Sequence, residues 1–356
     1  MTRVVVIDPQ HPDLARIREV AAVVRGGGLV AFPTETVYGL GAHALNAAAV
    51  ARIFEAKGRP PTDPMIVHLS SVDQVEQIAK AVPAAARDLA AAFWPGPLTL
   101  IFQKQSIVPD VVTAGLATVA IRVPSHAIAR ALLEAAGVPM AAPSANRFSY
   151  PSPTRAEHVL ADLDGVVDIV IDGGATPIGV ESTILDLTVT PPLVRRPGGV
   201  ALVDIRRLVP DARSVSEVLN QARAQPAPGQ LLRHYAPRTP LTLYVGDVGR
   251  VVERMGNDIR SAAASGLRAG VLAPEEDLAA LAPRVAALGG SGRVVTMRCG
   301  SRRDREETAR ELFRALRALD TEAVDVIFAS APEGEGINAA ILDRLTRAAE
   351  GRIVRP

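Results

Sequence analysis

The first 209 residues alternate short apolar runs with segments of helical periodicity. Apolar residues spaced three and four apart, at Leu14, Ile17, Ala21 and Val24, predict an amphipathic helix that glycines 26–28 end. Short apolar runs bounded by turn residues are typical of buried strands. They predict strands at residues 4–7, 29–32, 65–69, 98–103, 118–123, 166–171, 183–187 and 193–195. Many strands with fewer helices favour an α/β (α+β) domain around a twisted mixed sheet.

Capping residues predict two further helices in this region. Asn46 is a preferred N-cap residue type, and the helix after it continues to Lys57. Thr154 and Glu157 have the spacing of a capping box, in which each side chain bonds a backbone N–H of the first turn. We therefore expect Thr154 to cap a helix.

The last third of the chain alternates strands and helices more regularly. Its strands are predicted at residues 241–245, 269–273, 293–298 and 324–329. Its helices are predicted up to residue 264 and at residues 275–281, 304–319 and 337–349. Such β-α repetition predicts a small, Rossmann-like parallel sheet covered by helices.

The segment between these regions has a different composition. A short helix is predicted at residues 215–223, and Pro226 and Pro228 then flank Ala227, which predicts a semi-rigid linker. We therefore expect a first domain at residues 1–209, a linker at 210–240 and a second domain at 241–356.

Charge and cysteine content narrow the class of protein. The 356 residues include 39 basic and 38 acidic ones, a balance that gives no global attraction to nucleic acid or to anionic membranes. The single cysteine, Cys299, excludes an internal disulfide and a multi-cysteine metal site, and we expect a buried structural thiol. There is no signal-peptide pattern and no apolar stretch of ~20 residues. These features predict a cytoplasmic protein that does not enter a membrane.

The common nucleotide and metal motifs are missing from the sequence. No P-loop pattern occurs, and the six histidines are scattered without the spacing of a metal site, so we expect no protein metal centre. Gly334-Glu335-Gly336 imitates a dinucleotide fingerprint, but the chain ends before the next strand and its acidic residue could follow.

Polar motifs instead collect at the predicted strand ends. Lys57 and Arg59 offer an ammonium and a guanidinium that can bind different oxygens of one polyphosphate, although they could also only complement a helix C-terminus. Arg122 ends a strand, a position suited to a carboxylate or a phosphate. His68 also ends a strand, where a structural role is the simpler alternative. Since all these residues lie at strand ends or in adjoining loops, a shared cleft is expected.

Residues 30–41 read Val-Ala-Phe-Pro-Thr-Glu-Thr-Val-Tyr-Gly-Leu-Gly and resemble a signature of the YrdC/TsaC family of threonylcarbamoyl-AMP synthases. The resemblance continues, in the family's order, at residues 57–60, 94–99, 142–146 and 179–183. It covers about residues 3–209, and residues 227–237 resemble the linker of the longer, two-domain (Sua-type) subgroup. The resemblance implies a YrdC-like domain followed by a smaller Rossmann-like domain.

The resemblance also implies a reaction. The family makes L-threonylcarbamoyl-AMP and pyrophosphate from L-threonine, bicarbonate or CO₂, and ATP, for threonylcarbamoyl modification of the adenosine next to the anticodon in tRNA. Mg²⁺ would arrive with ATP rather than in a protein cage. A downstream transferase protein would modify the tRNA, so we expect no stable tRNA binding here.

The resemblance assigns two sets of residues. It implies that ATP contacts Lys57, Arg59, Asp63, Thr118, Ser144, Asn146, Ser152, Arg196, His234 and Tyr235. It implies that L-threonine contacts Thr36, His68, Arg122, Ser182 and the backbone near Ala142, with Arg122 paired to its carboxylate. Catalysis would rest on Lys57, Arg59, Ser144 and Asn146.

In the two-domain subgroup the linker resembles a lid that excludes water from a labile mixed anhydride. Leu232 departs from the subgroup pattern, which has a tyrosine there. We expect deletion of residues 226–237 to lower the adenylate yield while the first domain stays folded. Full activity in a folded deletion variant would refute the lid.

Two other functions fit parts of the sequence. Carbamoyl transfer through carbamoyl-AMP uses the same fold, but those proteins add acylphosphatase-like, zinc-finger or transferase domains, and this chain lacks the cysteines and length for the first two. Double-stranded RNA binding could use a positive concave face, but the near-neutral charge and 3% aromatic content argue against RNA as the main ligand.

Overall fold

The computed structural model describes residues 1–214, 234–288 and 293–356. The chain divides into two compact units, one of Met1–Phe148 and Ser152–Leu231 and the other of Ser149–Pro151 and Leu232–Pro356. The predicted helix at 215–223, the prolines of the linker and Leu232 lie outside the described residues.

The first unit is built on a mixed sheet of eleven strands. They are β1 Arg3–Val6, β2 Val30–Pro33, β3 Tyr38–His43, β4 Ile66–His68, β5 Leu98–Gln103, β6 Thr118–Arg122, β7 Met140–Ala141, β8 Ile169–Asp172, β9 Thr183–Asp186, β10 Leu193–Arg196 and β11 Arg213–Ser214. Their order across the sheet is β1-β8-β2-β3-β7-β4-β6-β5-β9-β10-β11. Parallel pairs such as β4 with β6 adjoin antiparallel pairs such as β5 with β6, which confirms the predicted mixed sheet.

Helices cover both faces of this sheet. They are α1 Leu14–Arg25, α2 Ala47–Lys57, α3 Val75–Ile78, α4 Ala84–Phe93, α5 Asp110–Thr113, α6 Ala127–Ala136, α7 Ala156–Leu163 and α8 Leu202–Arg206. Alternate residues of β2 point to opposite faces: Phe32 joins the core that includes α1 and α6, and Ala31 joins the core that includes α2 and α4. Burial on both faces explains why β2 reads as a continuous apolar run.

The predicted N-caps have opposite outcomes. Asn46 caps α2 as predicted, because its side chain accepts from the backbone N–H groups of Ala48 and Ala49. The capping box at Thr154 is wrong: α7 begins after Arg155 without a side-chain cap. The N–H of Thr154 donates instead to Nδ1 of His158 at 3.2 Å.

The second unit contains a five-stranded parallel sheet. Its strands are β12 Leu241–Tyr244, β13 Ala269–Ala273, β14 Val294–Arg298, β15 Val326–Ser330 and β16 Ile353–Val354. Its helices are α9 Val248–Ala264, α10 Glu275–Ala286, α11 Arg305–Thr321 and α12 Ile337–Ala348. The strand order is β14-β13-β15-β12-β16, with every pair parallel, which confirms the predicted parallel sheet. Since β16 follows α12, the expectation that no strand would follow Gly334-Glu335-Gly336 was wrong. In the part of the chain that the structure describes, no helix is long and apolar enough to cross a membrane.

Candidate active site

The end of α2 fixes the first cation of the site. Gly58 has φ +61°, a left-handed conformation that suits glycine, and its N–H closes the helix on the carbonyls of Phe54 and Glu55. Lys57, just before this turn, is buried, and its Nζ donates to the carbonyl oxygens of Ser144 and Asn146, each at 2.5 Å. Lys57 thereby ties α2 to the motif at residues 142–146.

Arg59 and Asp63 form a buried ion pair beside Lys57. Nη2 of Arg59 lies 3.0 Å from Oδ2 of Asp63 and donates to the carbonyl of Pro64 at 2.7 Å. Burial raises the pKa of Asp63, while the positive charges of Arg59, Lys57 and Arg196 oppose that rise. Among the described residues, neither carboxylate oxygen of Asp63 has an aligned hydrogen-bond donor. The described residues contain no group of three or more His, Cys, Asp or Glu that could hold a metal ion.

Arg196 links this charged region to Ser182. Its Nε and Nη2 donate to the carbonyl of Ser182 at 3.1 and 2.9 Å, and Nη2 also lies 3.2 Å from Ser182 Oγ. Ser182 Oγ is 2.7 Å from Oγ1 of Thr99 at the start of β5. A Cβ at Gly198 would approach the backbone of residues 181–183 within 2.4 Å, so only glycine allows this close packing.

The residues assigned to threonine meet on neighbouring strands. His68 on β4 lies beside Arg122 on β6 and beside Met140 on β7. The N–H of Ala142 donates to the carbonyl of Ile66 at 3.0 Å, which brings the end of β7 to the same place. Nη1 of Arg122 donates to Thr36 Oγ1 at 3.0 Å.

Arg122 is held by two further contacts. Its Nε donates to the carbonyl of Gly96 at 3.2 Å, and its Nη2 donates to Oε1 of Glu35 at 2.6 Å. The loop that carries Glu35 and Thr36 is itself fixed, because their carbonyls accept from the N–H groups of Ile178 and Gly179 at 3.0 and 3.1 Å. Hydrogen bonds therefore join segments of this site that are far apart in sequence.

His68 is neutral in this environment. Burial and the neighbouring charge of Arg122 lower the pKa of His68 to about 3. Its Nδ1 lies 3.2 Å from the carbonyl of Ile66, and because a carbonyl can only accept, Nδ1 carries the proton. Nε2 is therefore a hydrogen-bond acceptor.

The remaining predicted residues of the first unit differ in their surroundings. The buried Ser152 donates to Oε1 of Glu181, and Asn146 donates from Nδ2 to the carbonyl of Arg147 at 2.7 Å. Thr118 begins β6 and lies four residues from Arg122, which is about 13 Å along the strand. Among the described residues, no hydrogen bond joins the Thr118 side chain to the other predicted nucleotide residues. Its ATP contact stays a prediction.

His234 and Tyr235 belong to the second unit. Their rings lie 4.0 Å apart, and the Tyr235 ring packs against Phe313 with centroids 5.5 Å apart. The guanidinium of Arg344 lies 5.0 Å from the centroid of the Tyr235 ring. The ATP contacts of His234 and Tyr235 stay predictions.

Sequence reasoning did not assign a role to three residues that the structure brings into the site. Glu35 and Glu181 lie inside motifs that the sequence singled out, and each binds a residue assigned to a substrate, Arg122 and Ser152 respectively. Thr99 bonds Ser182. The sequence shows that each of these residues is a carboxylate or a hydroxyl within a polar motif. It does not show which residue each one bonds.

Comparison with known proteins assigns the family. Residues 22–198 match the family model described as "Telomere recombination", and residues 200–350 match "Threonylcarbamoyl-AMP synthase, C-terminal domain". The threonylcarbamoyl-AMP synthase of Pyrococcus abyssi is 44% identical over 342 residues, which are 96% of this chain and 96% of that protein. The chain belongs to the threonylcarbamoyl-AMP synthase family. The Bacillus subtilis threonylcarbamoyl-AMP synthase is 42% identical over 349 residues, 98% of this chain and 95% of that one.

A solved structure supports the same assignment. The crystal structure of P. abyssi Sua5 complexed with L-threonine has a TM-score of 0.90 and 42% identity, and the match covers all of both chains. These comparisons confirm the predicted family, its long two-domain form and the enzyme class.

Proposed function

We propose that this enzyme makes L-threonylcarbamoyl-AMP and pyrophosphate from L-threonine, bicarbonate or CO₂, and ATP. The product serves the threonylcarbamoyl modification of the adenosine next to the anticodon in tRNA. We base this proposal on the contact between Arg196 and Ser182, because it joins the region of buried cations to the residues assigned to threonine. Two substrates bound on either side of this contact would have their reacting groups close together.

The threonine side of the site suits a small polar zwitterion. The guanidinium of Arg122 is buried and ready to receive a carboxylate. Thr36, Ser182 and the neutral His68 offer hydroxyl groups and a ring nitrogen to the amine and hydroxyl of the substrate. The solved P. abyssi relative, which is complexed with L-threonine, supports threonine as this substrate.

The nucleotide side concentrates positive charge. Lys57, Arg59 and Arg196 are buried cations whose charges all act on Asp63. A triphosphate brings several negative charges to such a region, where low dielectric strengthens each interaction. Mg²⁺ enters as part of the ATP substrate, and Asp63 is the carboxylate near these cations that we propose to lie close to the phosphates.

The chemistry needs no protein nucleophile. The neutral amine of threonine adds to CO₂ with loss of a proton, or condenses with bicarbonate with loss of water, to give a carbamate. A carbamate oxygen then attacks the α-phosphorus of ATP, and the bond between that phosphorus and the leaving pyrophosphate breaks. Alignment of three reactants can supply up to about 7–11 kcal/mol of the barrier. Cations that meet the charge developing on the phosphates supply more.

Two features of the biological context follow from the same proposal. We assign the enzyme to the cytoplasm, where a protein with a single buried cysteine suits the reducing conditions. A separate tRNA threonylcarbamoyl-transferase consumes the product, since a labile mixed anhydride needs a dedicated acceptor reaction.

The test is pyrophosphate release from ATP by the purified full-length protein, with L-threonine and bicarbonate each present or omitted. The proposal expects release only when both are present. Release that is indifferent to threonine but stimulated by carbamoyl phosphate would favour carbamoyl transfer. No turnover, together with strongly salt-dependent RNA binding, would favour the RNA-binding function.

A further inference from the structure

Glu35 is a buried carboxylate in the loop between β2 and β3 that the proposed reaction leaves without a role. The residue is 6% exposed, and its Oε1 accepts from Nη2 of Arg122 at 2.6 Å. Its other oxygen, Oε2, is buried without a hydrogen-bond partner among the described residues. Glu35 stands directly before Thr36, which bonds the same guanidinium.

An orphaned oxygen at this place is unusual. Buried polar groups in native proteins nearly always have a partner, and a charged group left without one is costly. Although burial opposes ionisation, the charge and hydrogen bond of Arg122, helped by the backbone N–H groups of Glu35 and Ser125, keep the pKa of Glu35 below its usual value. Oε2 therefore belongs to a carboxylate anion, and among the described residues no N–H or O–H group is aligned to donate to it.

Arg122, the partner of Glu35, has N–H donors without acceptors among the described residues. A guanidinium has five N–H donors, and the contacts of Arg122 with Gly96, Thr36 and Glu35 use three. Two N–H groups remain, one on each terminal nitrogen, and a carboxylate accepts such a pair in bidentate fashion. Together, Arg122 therefore offers two donors to a carboxylate, and Oε2 of Glu35 offers an acceptor to a cation.

We propose that Glu35 determines specificity for the α-ammonium group of the amino-acid substrate, which donates to Oε2 while Arg122 binds the carboxylate. An α-amino acid carries these two charged groups on one carbon, which matches a carboxylate and a guanidinium already in contact. The inference rests on the proposed function, because it concerns how the proposed threonine site recognises the amino acid.

The competing explanation is that Glu35 only positions Arg122. Both explanations expect Glu35→Gln to weaken threonine binding, through loss of the ammonium contact in one case and through a displaced Arg122 in the other. They differ for a ligand that lacks the ammonium group. (R)-3-hydroxybutanoate retains the carboxylate, hydroxyl and methyl groups of L-threonine and has hydrogen in place of the α-ammonium.

The experiment measures binding of both ligands by calorimetry to full-length wild-type protein, Glu35→Gln and a control, Glu19→Gln. Glu19 is an exposed glutamate that pairs with Arg3. We expect wild type and the control to bind L-threonine at least about tenfold more tightly than the analogue, the size of one charge-assisted hydrogen bond. In Glu35→Gln this preference disappears, while the affinity for the analogue and the KM for ATP stay within about threefold, below one such bond.

Three outcomes would overturn the inference. Equal weakening of both ligands in Glu35→Gln would leave Glu35 as a positioning residue for Arg122. Wild-type protein that binds the analogue as tightly as L-threonine would exclude ammonium recognition without any variant, so the test survives if Glu35→Gln does not fold. Both results are compatible with threonine-dependent pyrophosphate release, whereas wild type that neither binds threonine nor releases pyrophosphate overturns the proposed function and this inference together.

Discussion

Replacing Lys57 by methionine removes one buried cation while the side chain keeps a similar apolar length. The ammonium of Lys57 donates to the carbonyls of Ser144 and Asn146, so the variant leaves both without this donor. A buried acceptor left unpaired costs about 1–3 kcal/mol. That cost applies in full to the buried contact at Asn146 and less to the part-buried contact at Ser144, which water can reach more easily.

The same substitution removes a positive charge that, in the proposed function, lies close to the triphosphate of ATP. Loss of a single preorganised donor to developing charge lowers kcat by about 10²–10³-fold in well-studied enzymes. We therefore expect Lys57→Met to lose activity by at least that factor and stability by at least about 1–3 kcal/mol, the cost of the buried contact alone. The two effects are separable, because the loss of stability does not alter the kinetics of the molecules that remain folded.

The assay combines urea unfolding with pyrophosphate release, corrected for the folded fraction. Lys80→Met is the matched control, because Lys80 is an exposed lysine and its loss should change neither quantity. A folded Lys57→Met protein with the kcat and KM for ATP of wild type would refute the role of Lys57 at the phosphates. Lys57 would then only fasten α2 to residues 142–146.

Three further predictions follow from the site and from the single cysteine. Arg122→Lys should raise the KM for L-threonine by about tenfold or more, because a lysine cannot reproduce the bidentate fork, and leave the KM for ATP unchanged; equal rises in both would contradict this role. Since the pKa of His68 falls to about 3 on folding, the unfolded chain binds a proton below pH 6.5 that the folded chain does not. The free energy of unfolding should therefore decrease by up to about 1.4 kcal/mol per pH unit from pH 6.5 towards 3, and unfolding curves of His68→Gln should have a smaller slope, whereas an unchanged slope would argue against it. Burial raises the pKa of the Cys299 thiol to about 12, so iodoacetamide should label it only after unfolding, and rapid labelling of folded protein would show that the thiol is accessible.

Most strands and the parallel order of the second sheet could be predicted because their apolar runs face a core, but β3, β7, β11 and β16 were not predicted. The runs that became β5, β9 and β13 are buried along almost their whole length, and the sequence signal comes from that burial. Helices α4 and α6 were not predicted. Both are rich in alanine, which serves on either the buried or the exposed face and so weakens the periodic contrast that marks a helix.

The sequence predicted which residues belong to the candidate site better than it predicted the hydrogen bonds between them. Thr36, His68 and Arg122 do meet, because strand ends gather at one place in the sheet. Glu35 pairs with a residue 87 positions away, and Ser152 with one 29 positions away, so no local pattern reveals either bond. The capping box failed for a related reason: His158 accepts the Thr154 N–H, an interaction that residue spacing alone does not favour over the cap.

In the proposed reaction, threonine, a one-carbon unit and the AMP part of ATP are joined in one adenylate. The most direct measurement is the mass of the adenylate formed from ATP and L-threonine in the presence of ¹³C-bicarbonate, with product from unlabelled bicarbonate as the reference. We expect threonylcarbamoyl-AMP that carries the label, formed together with an equal amount of pyrophosphate. An adenylate that contains threonine without the labelled carbon, or a carbamoyl adenylate without threonine, would contradict it.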